Sequence, residues 1–202
     1  MSVEGSVRER RRAETVREIK EAALRQIAEV GPGAMSLRGV ARAVGMTVQS
    51  LYHYFANRDA LLTELVVDAN AELARAVEVA VVASRGRPHA ERLFAATNAY
   101  RTWALEHRSP FLLIYGTPVP GFVASGRRVD EASVGLAAPF LEAVFDGWSP
   151  EELAAVPLQP GAERIAELRE TEIPLPPGAL ALFYELRFRM HGQVMLEVLG
   201  RM

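Results

Sequence analysis

The sequence predicts an all-α fold, with a small N-terminal helix-turn-helix head and a larger helical body. Three observations predict it. Apolar residues recur at i, i+3, i+4 and i+7 in nearly every segment between Gly/Pro breaks, and no useful stretch alternates with the two-residue period of a strand. Residues 36–58, SLRGVARAVGMTVQSLYHYFANR, hold two short amphipathic segments around Gly45. The charge is unevenly placed: residues 1–60 carry ten Arg or Lys against seven Asp or Glu, and the remainder carries 13 against 18. A basic head on an acidic body suits a domain that docks on nucleic acid, joined to one that does not.

The elements follow in order. Val16, Ile19, Ala23, Leu24, Ile27 and Val30 form one stripe of a helix over about Thr15–Val30, and Gly31-Pro32-Gly33 stops it. Leu37, Val40 and Val44 share a face of the second helix, where Ala41 is small enough for close crossing. Gly45 stands where the chain must turn, and glycine takes φ > 0 there without a Cβ clash. Thr47 caps the third helix through its hydroxyl. Leu51, Tyr54 and Phe55 are the expected buried stripe of that helix. Asn57 caps a long fourth helix running to about Ser84, with Leu61, Leu62, Leu65, Val66, Ala69 and Leu73 inward. Arg85-Gly86-Arg87-Pro88 breaks it.

A fifth helix spans about His89–His107, with Leu93, Phe94, Thr97, Tyr100, Trp103 and Ala104 expected inside. A short apolar piece (111–115) and a Gly/Pro-rich loop (116–128) come next. Helix resumes near Asp130 and ends at Asp146-Gly147. Ser149-Pro150-Glu151-Glu152 combines a cap, a proline at the first helical position and an acidic first turn. A short helix is expected over about Ala162–Thr171, and a connector of Pro174, Pro176, Pro177 and Gly178 leads to the last helix, about 179–200. That helix is apolar over an arc wide enough for one face on the body and another on a second copy. The expected domains are residues 1–58, an N-terminal arm and helix-turn-helix, and residues 59–202, a helical body with a face for a second copy.

Composition narrows the function. The 202 residues include no cysteine, which removes disulfides, thiolate metal sites and cysteine nucleophiles. The N-terminus lacks the apolar core of a secretory signal, and no run approaches the roughly 18 apolar residues of a membrane span, so a cytoplasmic protein is expected. His53, His89, His107 and His191 fit neither H-E-x-x-H nor E-x-x-H spacing, and no nucleophile elbow or P-loop occurs. No catalytic site, metal or cofactor is expected, and the protein reads as a non-enzyme.

The polar residues of the third helix carry the functional signal. Thr47, Gln49, Ser50 and His53 fall at or near its exposed face, with hydrogen-bonding groups suited to base edges or phosphates. Tyr52 and Tyr54 have phenolic tips able to reach phosphate oxygens. Arg58 opens the fourth helix, where cation and backbone N–H groups together favour phosphate. Arg38 opens the second helix. The arginines at 8–12 leave two readings open, a mobile arm in the minor groove and a solvated tail.

The block from Gly45 to Leu62, with LYHYF followed by Asn57-Arg58-Asp59-Ala60-Leu61, resembles the signature of the TetR/AcrR family of bacterial transcriptional regulators. The resemblance covers roughly residues 10–65. It implies a dimer with a three-helix DNA-binding head and a helical body that binds a small effector. It implies that Ser36, Thr47, Tyr52 and Arg58 hold the DNA backbone, and that Arg38, Val48, Gln49, Ser50 and Tyr54 lie nearer the bases. Two stretches, Tyr115–Phe122 and Met190–Glu197, resemble the WHG body type of the family. That type has a tryptophan shortly before His-Gly, where this chain has Arg187 and Phe188.

For the body, Tyr100, Trp103, Phe111, Tyr115, Phe122, Phe140, Phe183, Tyr184 and His191 are the candidate effector-binding residues, with plain core packing as the competing reading of each aromatic. Gly192 beside His191 suggests close helix approach or a dimer seam. The expected function is a repressor that binds operator DNA as a homodimer through its C-terminal helices and releases it on binding an apolar or aromatic effector. The rival reading is a helical effector-binding or enzyme-like protein whose helix-turn-helix does not touch DNA.

Overall fold

The computed structural model describes residues 3–116, 119–163 and 173–201. Among these the chain is helical without strands: α1 (Val3–Val30), α2 (Leu37–Ala43), α3 (Val48–Tyr52), α4 (Arg58–Ala83), α5 (His89–Glu106), α6 (Arg108–Tyr115), α7 (Arg127–Phe145), α8 (Pro150–Ala155) and α9 (Pro177–Val198). The helix expected over 162–171 lies almost wholly outside the described residues.

Two compact units emerge: Met1–Asn70 with Arg108–Asp130, and Ala71–His107 with Glu131–Met202. In the first, α1 packs on α2 and α6, and α2 packs on α3. Its core joins Ile19, Ala23 and Ile27 of α1 to Val40 and Ala41 of α2, Leu51 of α3 and Leu61, Leu62 and Leu65 of α4. Leu113 and Phe122 pack against that core. In the second unit, α9 packs on α5 and α8. Tyr100, Phe140 and Phe183 are buried there, with Tyr100 meeting Phe140 edge-on at 5.8 Å.

The structure corrects several boundaries. α1 begins at Val3, twelve residues before the expected Thr15. The Arg, Glu and Ala residues at 8–14 are strong helix formers, which carry the helix beyond its apolar stripe. The arginines at 8–12 are therefore helical, not an extended arm or an unstructured tail. α3 stops at Tyr52, so Tyr54 and Phe55 lie in the turn that follows; Phe55 is buried and Tyr54 partly so. The apolar piece at 111–115 belongs to a helix, and α7 starts at Arg127. Phe94 is 69% exposed, because the inner stripe of α5 runs through Arg92, Ala96, Tyr100, Trp103 and Ala104. Gly192 makes no close helix approach: a Cβ there would meet nothing within 4 Å in this chain. A Cβ on Gly178 would stand 1.9 Å from the Val156 carbonyl oxygen, so the tight approach in this unit is at Gly178, against the end of α8.

Candidate functional site

The turn between α2 and α3 is held by its own backbone. Gly45 sits at φ +69, and Met46 N–H donates to the Ala41 carbonyl at 2.8 Å. α3 starts at a doubly used cap. Thr47 Oγ1 accepts from Ser50 N–H at 3.1 Å and shares a hydrogen bond with Ser50 Oγ at 2.9 Å. Leu51 is fully buried and anchors the inner side of the helix. The outer side carries Gln49, Tyr52 and His53, all exposed, with Tyr52 at 47%. Val48 and Ser50 are half-buried. A five-residue helix with one anchored side and a polar outer side is a short probe whose direction is set by the core.

Ser36 caps α2, its Oγ accepting from Gly39 N–H at 3.2 Å. Ser36 N–H itself donates to Gln26 Oε1 at 2.7 Å, which ties the start of α2 to α1. Arg38, in the first turn of α2, is exposed. Asn57 caps α4 as the sequence predicts, accepting from Ala60 N–H at 2.8 Å.

Arg58 has a structural task that sequence reasoning missed. Its Nε donates to the Met35 carbonyl at 2.9 Å, and its Nη2 donates to the Pro32 and Gly33 carbonyls at 2.6 and 3.0 Å. One planar guanidinium thus clamps the loop between α1 and α2 to the start of α4. Only the loop's path shows this; nothing in the local sequence distinguishes such an arginine from a phosphate ligand.

Tyr54 is also engaged. It packs partly against the head core, and the Arg12 guanidinium lies 5.0 Å over its ring. Deeper in the same unit, Lys20 bridges Glu64 at 3.4 Å and Asp68 at 2.6 Å, and Arg128 pairs with the same Glu64. These contacts join α1 and the start of α7 to α4.

The candidate effector residues divide between the units. Phe111 and Tyr115 lie on α6 of the first unit with ring centroids 5.2 Å apart, and Phe122 packs on the head core. Tyr100, Trp103, Phe140, Phe183, Tyr184 and His191 belong to the second unit. There Tyr100 Oη and His191 Nδ1 share a hydrogen bond of 2.8 Å. Burial holds the His191 imidazole below its ordinary value, with the Arg187 charge adding to the effect. Trp103 stacks on His107 at 4.9 Å.

An open and a narrow cavity are formed by described residues of this unit. An open groove of about 470 Å³ runs between α4 and α5, floored by Ala76, Ala80, Ala95 and Ala99, with Trp103 the only candidate residue on its wall. A narrow apolar crevice of about 20 Å³ is lined by Phe140 and Phe183 together with Leu93, Val144, Leu186 and Met190. No group of three or more His, Cys, Asp or Glu is placed to hold a metal ion among the described residues. No described helix is long and apolar enough to cross a membrane.

Comparison with known proteins agrees with this geometry. Residues 19–65 match the family described as bacterial regulatory proteins, tetR family, and residues 93–202 match the tetracyclin repressor-like C-terminal domain. The chain is 30% identical to the HTH-type transcriptional regulators Rv1816 of Mycobacterium tuberculosis and Mb1846 of Mycobacterium bovis, over 91% of its length and 80% of theirs. Its fold is similar to that of the regulatory protein SCO4313, with a TM-score of 0.77, 30% identity and coverage of 96% of this chain and 88% of that one. A TetR family transcription regulator from Marinobacter aquaeolei VT8 shares the fold at a TM-score of 0.64 and 19% identity, with coverage of 96% and 88%.

Proposed function

Because this chain belongs to the TetR family of bacterial transcriptional regulators, we propose that it is a small-molecule-responsive repressor. A homodimer, joined through its C-terminal helices, grips operator DNA with two copies of α3. The observation that carries this reading is the division of α3 itself: Leu51 fully buried on one side, Gln49, Tyr52 and His53 exposed on the other. Gln49 suits adenine in the major groove and Arg38 suits guanine, whereas Thr47, Tyr52 and Ser36 suit phosphates. Val48 offers a thymine methyl its only kind of contact. Ser50 and Tyr54 lie close to the bases but are already engaged with Thr47 and Arg12. Arg58 acts through its clamp on the 32–35 loop and not as a phosphate ligand.

The effector enters the aromatic cluster of the second unit, around Tyr100, Phe140, Phe183, Tyr184 and His191, with Trp103 at its edge. The crevice beside Phe140 and Phe183 is apolar, and its Leu186 and Met190 walls are able to shift for an apolar or aromatic guest. Phe111, Tyr115 and Phe122 serve the first unit instead. Moving the protein from DNA-bound to released requires a differential affinity of about 5.5 kcal/mol for a 99:1 to 1:99 change. Repression and release in the cytoplasm follow from such a population shift, with α4 contributing residues to both units.

Selection of duplexes from a random library, followed by footprinting, tests the reading. Two protected half-sites with centres about 34 Å apart, or at a related spacing, are expected. Tyr52→Phe should weaken binding while leaving its salt slope unchanged, since a neutral hydroxyl releases no counterion. Failure to enrich any sequence, or a Tyr52→Phe protein with unchanged affinity, overturns it.

A further inference from the structure

The inner stripe of α1 changes character where the helix leaves the head core. Ile19 and Ala23 are fully buried, and Val16 packs partly on the same core. One turn earlier the stripe position is Arg12, and one turn before that it is Arg8. At 3.6 residues per turn the two side chains leave the helix within about 40° of each other. Arg12 fixes the direction of this face. Its guanidinium covers the Tyr54 ring at 5.0 Å, and its Nη2 donates to the His53 carbonyl at 3.5 Å. His53 is the C-cap of α3, so the cation stands at the negative end of that helix. The helical backbone is continuous from Val3, which holds Arg8 roughly 6 Å further along the axis from Arg12. Arg8, Arg10, Arg11 and Arg12 are exposed, and none forms an ion pair with a carboxylate among the described residues.

We propose that this overhang of α1 is a second DNA-backbone site: Arg8 and Arg11 bind phosphates flanking the half-site that α3 reads, while Arg12 positions the end of α3. This rests on the reading of α3 as a DNA probe. Phosphates are the target because a helix about 10 Å across does not enter a minor groove about 6 Å wide, so an arginine on it reaches the backbone from outside. Arg12 stands at the C-terminal end of α3; Arg8 lies one turn further out and Arg11 leaves α1 about 60° from it, so the phosphates within their reach lie outside the base pairs that α3 touches.

The test uses the whole protein, with a duplex enriched from the random library in two forms: one with a further helical turn on each side, and one trimmed to the footprinted half-sites. The Arg8→Ala/Arg11→Ala double variant keeps strong helix formers in α1. On the long duplex its plot of log affinity against log salt should be shallower by about 0.9 for each phosphate left without its arginine. Its sequence preference should match the parent protein. On the trimmed duplex the two proteins should converge, and Arg8→Lys/Arg11→Lys should retain the parent slope. An unchanged slope on the long duplex overturns the proposal, as does a deficit that persists undiminished on the trimmed one. A double variant that still selects its sequence but shows no slope change sinks the flanking site alone. A parent protein that enriches no duplex sinks the α3 reading, and the flanking site with it.

Discussion

The helix-turn-helix and the helical body use polar side chains in opposite ways. Between residues 26 and 60 they bind backbone: Ser36, Thr47 and Asn57 cap helices, Gln26 holds the Ser36 N–H, and Arg58 gathers three carbonyls. In the second unit, Ser149 and Glu152 form one capping box, and the polar contacts that tie one helix to another mostly join side chain to side chain. Arg85 grips Glu142 with two bonds at 2.7 and 3.1 Å, Arg101 meets Glu197 at 2.9 Å, Arg92 pairs with Asp146, and Tyr100 meets His191. Bonds to backbone fix the path of a loop and so the aim of a short helix. The Arg85–Glu142 and Arg101–Glu197 pairs are exposed, and such pairs contribute little to stability and are easily exchanged. The first arrangement suits the surface proposed to match a rigid duplex, the second the cluster proposed to take an effector.

The sharpest way to break this comparison is Leu51→Ala. It empties a fully buried site beneath α3 and should cost about 2–5 kcal/mol, read as a fall in melting temperature. A cost well below that range would mean α3 is not anchored by the core. Arg58→Lys should come next, at about 1–3 kcal/mol, because one ammonium cannot serve carbonyls at Pro32, Gly33 and Met35 together. Faster hydrogen exchange in the loop at 31–36 would locate the damage. Thr47→Ala should cost roughly 1 kcal/mol of stability. Its DNA affinity should fall further than that cost explains, since the cap also orients Gln49.

The smallest effect is expected in the body, and it depends on pH. His191 is held below its ordinary value of 6.5, chiefly by burial. The folded protein therefore binds this proton more weakly than the unfolded chain. The stability so gained is present above about pH 6.5 and is lost as pH falls from there toward the folded value. Denaturant titrations of the parent and of His191→Gln should show a steeper loss on acidification in the parent. Parallel pH profiles would mean that the Tyr100–His191 pair does not sense protonation.

The head is readable from sequence because its signals are local. Gly45, Thr47 and Asn57 each act within a few residues of themselves, and Leu51 and Phe55 answer to one small core. The start of α1 is hidden from a reading by apolar stripe, since Arg8–Arg12 extend the helix by backbone propensity alone. The role of Arg58 is hidden because its partners are 23 to 26 residues away. Phe94 is misplaced for a related reason: two helical stripes fit α5, and only the packed neighbours choose the one through Ala96 and Tyr100. The candidate effector aromatics fall into two groups because the identity of a ring-bearing residue carries no information about which core its ring joins.

The most direct single measurement is the affinity of Gln49→Ala for the selected duplex with each base pair replaced in turn. An α3 that reads DNA predicts that discrimination relaxes at one position in each half-site, by about 1–3 kcal/mol, and stays intact elsewhere. Discrimination unchanged at every position would contradict it.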